Sequence, residues 1–239
     1  MPRIQTESDH LVLTRSVLEN ESVMGGLTPD TRETFLAGGR VRRYGKDDVL
    51  SSRGEPVDSL IILIDGVIEV SRVGVNGRRH ILFYLERGQV TNLVPMLDRR
   101  RAIHDAIAHT DCLVLHVGEQ DLTKQMACDA QLTRGVIAVL CLRTRTTYAM
   151  FSNDRLLPLR QRCAWALLEM VRQHGRVREE DVLLTLKLSR EEFAEMLGRT
   201  RQAIGKELQR LEEEGVIRTT YSTFVINDRD ALERIARVG

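Results

Sequence analysis

"LSREEFAEMLGRTRQAIGKELQRLEEEGVI", residues 188–217, decides the fold. Ser189 stands three residues before Glu192, the spacing of a capping box, in which hydroxyl and carboxylate each satisfy a backbone N–H at a helix start. Phe193, Ala194 and Leu197 then supply an apolar face, and Gly198 is placed to end the helix. Thr200 can cap a second helix, in which Ile204, Leu208 and Leu211 recur at helical spacing until Gly215 stops it. Helix, turn and helix are therefore expected over 190–214. Directly afterwards "VIRTTYSTFVIND" alternates β-branched residues around Tyr221 and Ser222, as a small two-stranded wing does.

The second helix is basic at its start, with Arg199, Arg201, Lys206 and Arg210, and acidic at its end, with Glu212, Glu213 and Glu214. In a winged helix-turn-helix the first turns of this helix enter the major groove while its far end emerges from it. Arg201, Gln202, Gly205 and Lys206 share the face opposite Ile204 and Leu208, so they are positioned to meet base edges and phosphates. Arginine pairs bidentately with guanine and glutamine with adenine, each pairing worth about 1–3 kcal/mol of discrimination. Arg199 and Thr200, at the turn, are placed to touch phosphates and set register. The glutamates lie about two turns further along, past the groove, where anions no longer face phosphates. Charges alone would describe any solvated helical face. Capping box, glycine turn, capped second helix and wing in the right order single out double-stranded DNA as the partner.

With 239 residues, 42% hydrophobic and 29% charged, the chain is long enough for two cores. The formal net charge is +1, so attraction to nucleic acid must come from a local patch. No apolar stretch reaches the roughly 18 residues of a membrane span, and "MPRIQTESDHLVL" lacks the apolar centre of a signal peptide, so a cytoplasmic protein with no membrane partner is expected. Cys112, Cys128, Cys141 and Cys163 are widely spaced without a C-x-x-C pair, which argues against zinc or a disulfide framework and for buried thiols. Paired carboxylates in a shared motif, a glycine-rich phosphate loop and histidine-rich metal spacing are all missing from the sequence, so no enzyme is expected.

Upstream, from Arg40 to His116, the chain breaks into short β-rich runs such as "SLIILIDGVIEVSRV", "RRHILFYL" and "CLVLHV", as in an antiparallel sandwich or barrel. Asp65-Gly66 between two apolar runs is hairpin chemistry. After Gly118 the period becomes helical, with a break expected near Ser152, Asn153 and Asp154 before Pro158. In the first of these helices Thr133, Val136, Leu140, Thr144, Thr147 and Phe151 fall at three- and four-residue spacing. Such a seam suits either an identical helix or the helix's own β domain.

The stretch 188–217 resembles the recognition motif of the CRP/FNR superfamily of bacterial transcription regulators. "GEPVDSLIILIDGVIEV", from Gly54 to Val70, is similar to that superfamily's cyclic-nucleotide-binding-type β-roll, the residues after Gly118 to its dimer helix, and "LLPLRQRCAWALL" to its first DNA-domain helix. The resemblance implies an α+β fold: an N-terminal antiparallel, jelly-roll-like β-roll, a long dimerisation helix and a C-terminal winged helix-turn-helix. The division implied is an N-terminal arm (1–26), sensory roll (27–129), dimerisation helix (130–153) and DNA-binding domain (154–239). It further implies a homodimer on a pseudo-palindrome, with recognition helices about 34 Å apart, and contacts to RNA polymerase. The dimer then becomes the use of the seam. Arg201 matches the family's guanine-reading arginine, Lys206 replaces its usual second arginine, and Gln202 stands where many members carry a glutamate, so the half-site is expected to differ at that base pair.

For the sensor, the family's nucleotide cassette needs a Gly-Glu pair for the ribose and an arginine followed by Ser or Thr for the cyclic phosphate. Asn92 falls where the glutamate is expected, and neither Arg100 nor Arg101 is followed by Ser or Thr, so cyclic AMP bound in the family's manner is not expected. Thr147 matches a family adenine contact, and with Asn92, Arg100 and Arg101 completes the candidate effector pocket. Adjacent Arg99, Arg100 and Arg101 could instead hold an anion by another route or simply be a solvated loop. An iron-sulfur cluster is not expected, because that branch uses N-terminal cysteines and the first cysteine here is Cys112. A cyclic nucleotide or haem stays open as cofactor, with His80, His104, His109 and His116 on or near strands. Cys141, beside the seam, is either an inert thiol or an intersubunit disulfide. A competing reading, a ligand-binding module that uses the roll alone, leaves the recognition helix idle.

Overall fold

A computed structural model describes residues 7–178, 181–220 and 223–237. The chain forms two compact units, one from residues up to 77 with 81–144, the other from 78–80 with residues from 145 onward. The first unit begins with helices α1 (Glu7–Asn20) and α2 (Pro29–Gly38), followed by strands β1 (Arg40–Tyr44), β2 (Val49–Ser51), β3 (Ser59–Asp65), β4 (Ile68–Val73), β5 (Arg79–Leu85) and β6 (Val90–Thr91). Helix α3 (Leu93–Asp98), strands β7 (Asp105–Ala108) and β8 (Cys112–Gly118), helix α4 (Glu119–Cys128) and the long helix α5 (Ala130–Leu156) follow. The strands make two four-stranded sheets, ordered β1-β8-β3-β6 and β2-β7-β4-β5.

Strand β3 explains why its sequence is apolar throughout. Leu60, Ile62 and Ile64 point to a core shared with Val17 and Leu18 of α1, Phe35 of α2, Leu122 of α4 and Leu132 of α5, while Ile61 and Leu63 point to a second core between the sheets. A strand buried on both faces reads as a continuous run rather than an alternation. Each such side chain contributes about 1.5–3 kcal/mol by leaving water. Asp129 starts α5. Its Oδ1 accepts from the backbone N–H groups of Gln131 and Leu132 at 2.9 and 3.1 Å, and its Oδ2 from the Thr31 hydroxyl at 2.6 Å. The Thr31 bond leads these in pulling the carboxyl pKa down to about 2.

Three expectations are corrected. Strands β3 and β4 flank Asp65-Gly66 but lie in different sheets, so the turn is a crossing and not a hairpin. Gly66 is required for a different reason: its φ is +93°, and a Cβ there would stand 2.3 Å from the Asp111 carbonyl oxygen. Helix α5 does not break at Ser152–Asp154 but runs on to Leu156. Those residues can stay helical because they lie on its exposed and half-buried faces, and Pro158 ends the pattern instead. Of the four thiols, Cys112 and Cys163 are buried, but Cys128 and Cys141 are exposed on their helices.

The second unit contains α6 (Leu159–His174), strands β9 (Gly175–Val177) and β10 (Val182–Leu184), α7 (Arg190–Met196), α8 (Arg201–Glu213), strands β11 (Ile217–Thr219) and β12 (Phe224–Ile226), and α9 (Arg229–Ala236). Its sheet runs β11-β12-β10-β9. Phe193 of α7 and Phe224 of β12 meet in the core with ring centroids 5.3 Å apart. The wing is thus paired strand to strand, Thr219 opposite Phe224, while Tyr221 and Ser222 at its expected tip lie outside the described residues.

In the first unit His104 is buried, and its Nδ1 has no hydrogen-bond partner among the described residues. Burial, reinforced by Arg143, pushes its pKa from 6.5 down to about 4. A histidine with a depressed folded pKa contributes full stability above the unfolded value, and loses it as protons bind the unfolded chain preferentially. Unfolding free energy is expected to fall between pH 6.5 and pH 4 by up to about 3 kcal/mol through this group, given 1.36 kcal/mol per pKa unit. Urea titrations at stepped pH should show a shallower slope over that window in His104→Gln than in the parent.

Candidate nucleic-acid interface and roll cavity

Both recognition caps form as the residues dictate. The Ser189 hydroxyl accepts from the Glu192 backbone N–H at 3.1 Å, and a Glu192 carboxylate oxygen accepts from the Ser189 N–H at 2.7 Å. Gly198, at φ +61°, turns the chain, and the Thr200 hydroxyl accepts from the Ala203 N–H at 3.2 Å to open α8. Ile204, Leu208 and Leu211 are fully buried, which turns Arg201, Gln202 and Lys206 outward. Neither Arg201 nor Lys206 forms an ion pair with a described residue, so both charges are available to a ligand. A Cβ at Gly205 would meet nothing within 4 Å, so this position keeps the helix face low between Arg201 and Lys206 without being demanded by packing. Arg199 differs from these. It lies 3.6 Å from Asp154, which ties it to the end of α5.

The acidic end of α8 has internal work. Glu212 accepts from the Thr219 backbone N–H of the wing at 2.6 Å and pairs with Arg190 of α7 at 3.2 Å. Glu213 accepts from the Gln209 amide, and Glu214 pairs with Arg160 of α6. Each glutamate therefore fixes the helix to a neighbour or to itself, at the end away from the cationic face. Reasoning from the sequence missed Arg162. Buried on α6, it donates to the Leu197 carbonyl oxygen at 2.8 Å and pairs with Asp154 at 2.6 Å, so it holds the last residue before the Gly198 turn. Burial lowers its pKa. An arginine in an amphipathic helix carries no sequence mark that it will be buried.

On α5 Val136 is buried and Leu140 half-buried against their own roll. Thr144, Thr147 and Phe151 are exposed, in line with Ile137, Cys141 and Tyr148. The stripe Ile137, Cys141, Thr144, Tyr148 and Phe151 has alternating four- and three-residue steps, one residue out of phase with the expected seam at its start.

Asn92 lines a cavity of about 500 Å³ in the first unit. Arg101 donates to the Gly54 carbonyl oxygen at 2.8 Å, Arg100 is exposed on its loop, and Thr147 is exposed on α5. The arginine run disperses, with Arg99 pairing instead with Glu119 at 2.9 Å. The cavity wall carries Arg40, Arg42 and Tyr44 from β1, Ser51 from β2, Ser59 from β3 and His116 from β8. Tyr44 Oη and Ser59 Oγ lie 3.0 and 2.9 Å from His116 Nε2 and Nδ1, and the Ser59 hydroxyl donates to Asp58 at 2.9 Å. That last bond settles the tautomer. With its proton given to Asp58, Ser59 must accept from His116 Nδ1–H, which leaves Nε2 to accept from the Tyr44 hydroxyl. Burial and then Arg42 lower the His116 pKa, in keeping with a neutral ring. Asn92 takes a left-handed φ of 65°, with its amide oxygen accepting from Ser51 at 3.2 Å.

Comparisons with known proteins bear on both units. Residues 41–129 match the family model of the cyclic nucleotide-binding domain, and residues 161–235 that of the Crp-like helix-turn-helix domain. A CRP-like cAMP-activated global transcriptional regulator of Mycobacterium tuberculosis is 22% identical over 221 residues, 92% of this chain and 99% of that protein. The cAMP-activated global transcriptional regulator CRP of Pasteurella multocida is 24% identical over 197 residues, 82% of this chain and 94% of that protein. The fold is shared with FixK2 from Bradyrhizobium japonicum, at a TM-score of 0.72 and 21% identity, over 84% of this chain and 98% of that one. It is likewise shared with the c-di-GMP responsive global regulator CLP of Xanthomonas campestris, at a TM-score of 0.72 and 20% identity, over 83% of this chain and 99% of that one.

If the Thr200 hydroxyl is what starts α8, Thr200→Val should lower stability by about 1 kcal/mol, as loss of a cap does, and Thr200→Ser should restore most of it. Chemical unfolding followed by circular dichroism reads the difference.

Proposed function

The chain belongs to the CRP/FNR family of transcription regulators, and from that membership we propose that it reads a pseudo-palindromic DNA site as a homodimer, through Arg201, Gln202 and Lys206. One observation carries this reading: three exposed side chains stand on one face of a helix capped by Thr200, and the two cations of that face, Arg201 and Lys206, are uncommitted to any described anion. Arg201 and Gln202 address base edges, Lys206 and Thr200 the phosphates, and Arg199 sets the register. The exposed stripe of α5 is where a second copy packs. Ile137 is 53%, Tyr148 69% and Phe151 59% exposed, an apolar row that a solvated helix would not need. The family resemblance extends the proposal to contacts with RNA polymerase and to action in the cytoplasm, where bacterial DNA lies. Cyclic AMP is not the effector in the family's usual way, because Asn92 offers the ribose no carboxylate and neither Arg100 nor Arg101 lines its cavity.

Two measurements test these statements. Replacing Arg201 and Lys206 together by alanine should weaken specific duplex binding by about 1–3 kcal/mol for the base contact, and reduce the dependence of log affinity on log salt by about one phosphate's worth. Fluorescence anisotropy across a salt series reads both, and unchanged binding by a folded double variant would remove this helix face from the interface. Tyr148→Asp with Phe151→Asp should convert a dimer to a monomer in light scattering; a variant that stays dimeric would place the interface elsewhere.

A further inference from the structure

The roll cavity carries groups that DNA recognition leaves unused, and a role for them rests on the roll being the sensory half of the regulator. Along β1, Arg40, Arg42 and Tyr44 alternate with Val41 and Arg43 and so share one face, the face on which Tyr44 packs against the core between the sheets. Arg40 stands opposite His116 and Arg42 opposite Val114 across the β1–β8 ladder. Neither guanidinium forms an ion pair with a described residue. Two neighbouring cations repel, and an anion lying between them removes that cost while accepting their hydrogen bonds. Two carboxylates, Asp58 and Glu55, line the same cavity, and all four charged groups are exposed. Asp58 accepts the Ser59 hydroxyl at the far end of the Tyr44–His116 chain, and Glu55 is exposed on the loop before β3. At His116 burial and then Arg42 lower the pKa, Asp58 opposes them, and Arg40 adds the smallest pull.

We propose that this cavity binds a small organic anion, a carboxylate or a phosphate ester, with Arg40 and Arg42 holding its charge and Ser51 and Asn92 reading its polar body. The volume of about 500 Å³ is that of a small-molecule site. The ligand reports its presence through Asn92. This residue is 4% exposed, sits in the left-handed region as the cap of α3, and is held by Ser51 and by a 3.4 Å bond from its amide to the Ser59 carbonyl oxygen. An occupant that takes the Ser51 hydroxyl loosens one of these holds. Of the four residues expected from the family cassette, Asn92 alone lines the cavity.

The test is calorimetric titration of the full chain with inorganic phosphate and with succinate, each against sodium chloride of equal ionic strength. Variants are the double substitution Arg40→Gln with Arg42→Gln, Asn92→Asp, and Arg100→Gln as a control outside the cavity. Saturable binding of at least one probe is expected, weakened about tenfold or more by the double substitution and by Asn92→Asp, and unchanged by Arg100→Gln. Phosphate without succinate assigns a phosphate ester, the reverse a carboxylate. Two results overturn the inference: no saturable heat from either probe up to about 20 mM, or binding that the double substitution leaves unchanged. DNA affinity measured on the same preparations separates the two claims, since intact DNA binding without anion binding sinks only the cavity, whereas parent protein that ignores DNA sinks the proposed function itself.

Discussion

The recognition helix depends on one buried guanidinium. Arg162 is taken out of water on α6, a cost that only good partners offset, and its partners are the Leu197 carbonyl oxygen at the end of α7 and the Asp154 carboxylate near the end of α5. Because the charge cannot be left unpaired, these three elements are held to a single arrangement. The Gly198 turn follows directly from Leu197, so the direction in which α8 departs is set there, ahead of the exposed cationic face. Arg199 shares the same Asp154, which links the turn to the node a second time. At the other end Glu212 and Glu214 clamp α8 to the wing, to α7 and to α6. A helix anchored at both ends can present uncommitted cations without bending toward them.

The roll shows a similar economy of polar groups. The interior between the sheets is apolar at Ile61, Leu63, Ile68 and Val70, but the cavity at one side is closed by a directed chain, Tyr44 to His116 to Ser59 to Asp58. A chain with one donor and one acceptor at each step fixes ring tautomer and side-chain rotamers together. Arg40 and Arg42 stand beside this chain with no described counter-ion. On α5 a similar division applies, with Leu132, Val136 and Val139 given to the roll and Ile137, Tyr148 and Phe151 left in solvent.

What could be read from the residues was local. Ser189 with Glu192, the Thr200 cap, the Gly198 turn and the Ile204–Leu208–Leu211 repeat act within a few residues of themselves, so the helix-turn-helix and its exposed face were legible before any packing was known. What failed was non-local. Asp65-Gly66 carries a sound turn signal, but whether a turn closes a hairpin or crosses between sheets depends on β7 and β8, far along the chain. On α5 an apolar residue does not say which of two surfaces will cover it, and Val136 packs into its own roll while Phe151 stays exposed. Arg162 was invisible because buried and exposed arginines read alike, and the cavity because its walls come from β1, β2, β3 and β8. Strands β9 and β10, three residues each, were too short to show a period.

The central claim is that two copies of α8 read two half-sites on one face of a duplex. Selection of bound sequences from a randomised duplex library by the purified protein, without added nucleotide, tests it most directly. Two inverted half-sites with centres about 34 Å apart are predicted, one helical turn of DNA. Enrichment of a single unpaired half-site, or of no sequence at all, would contradict the account.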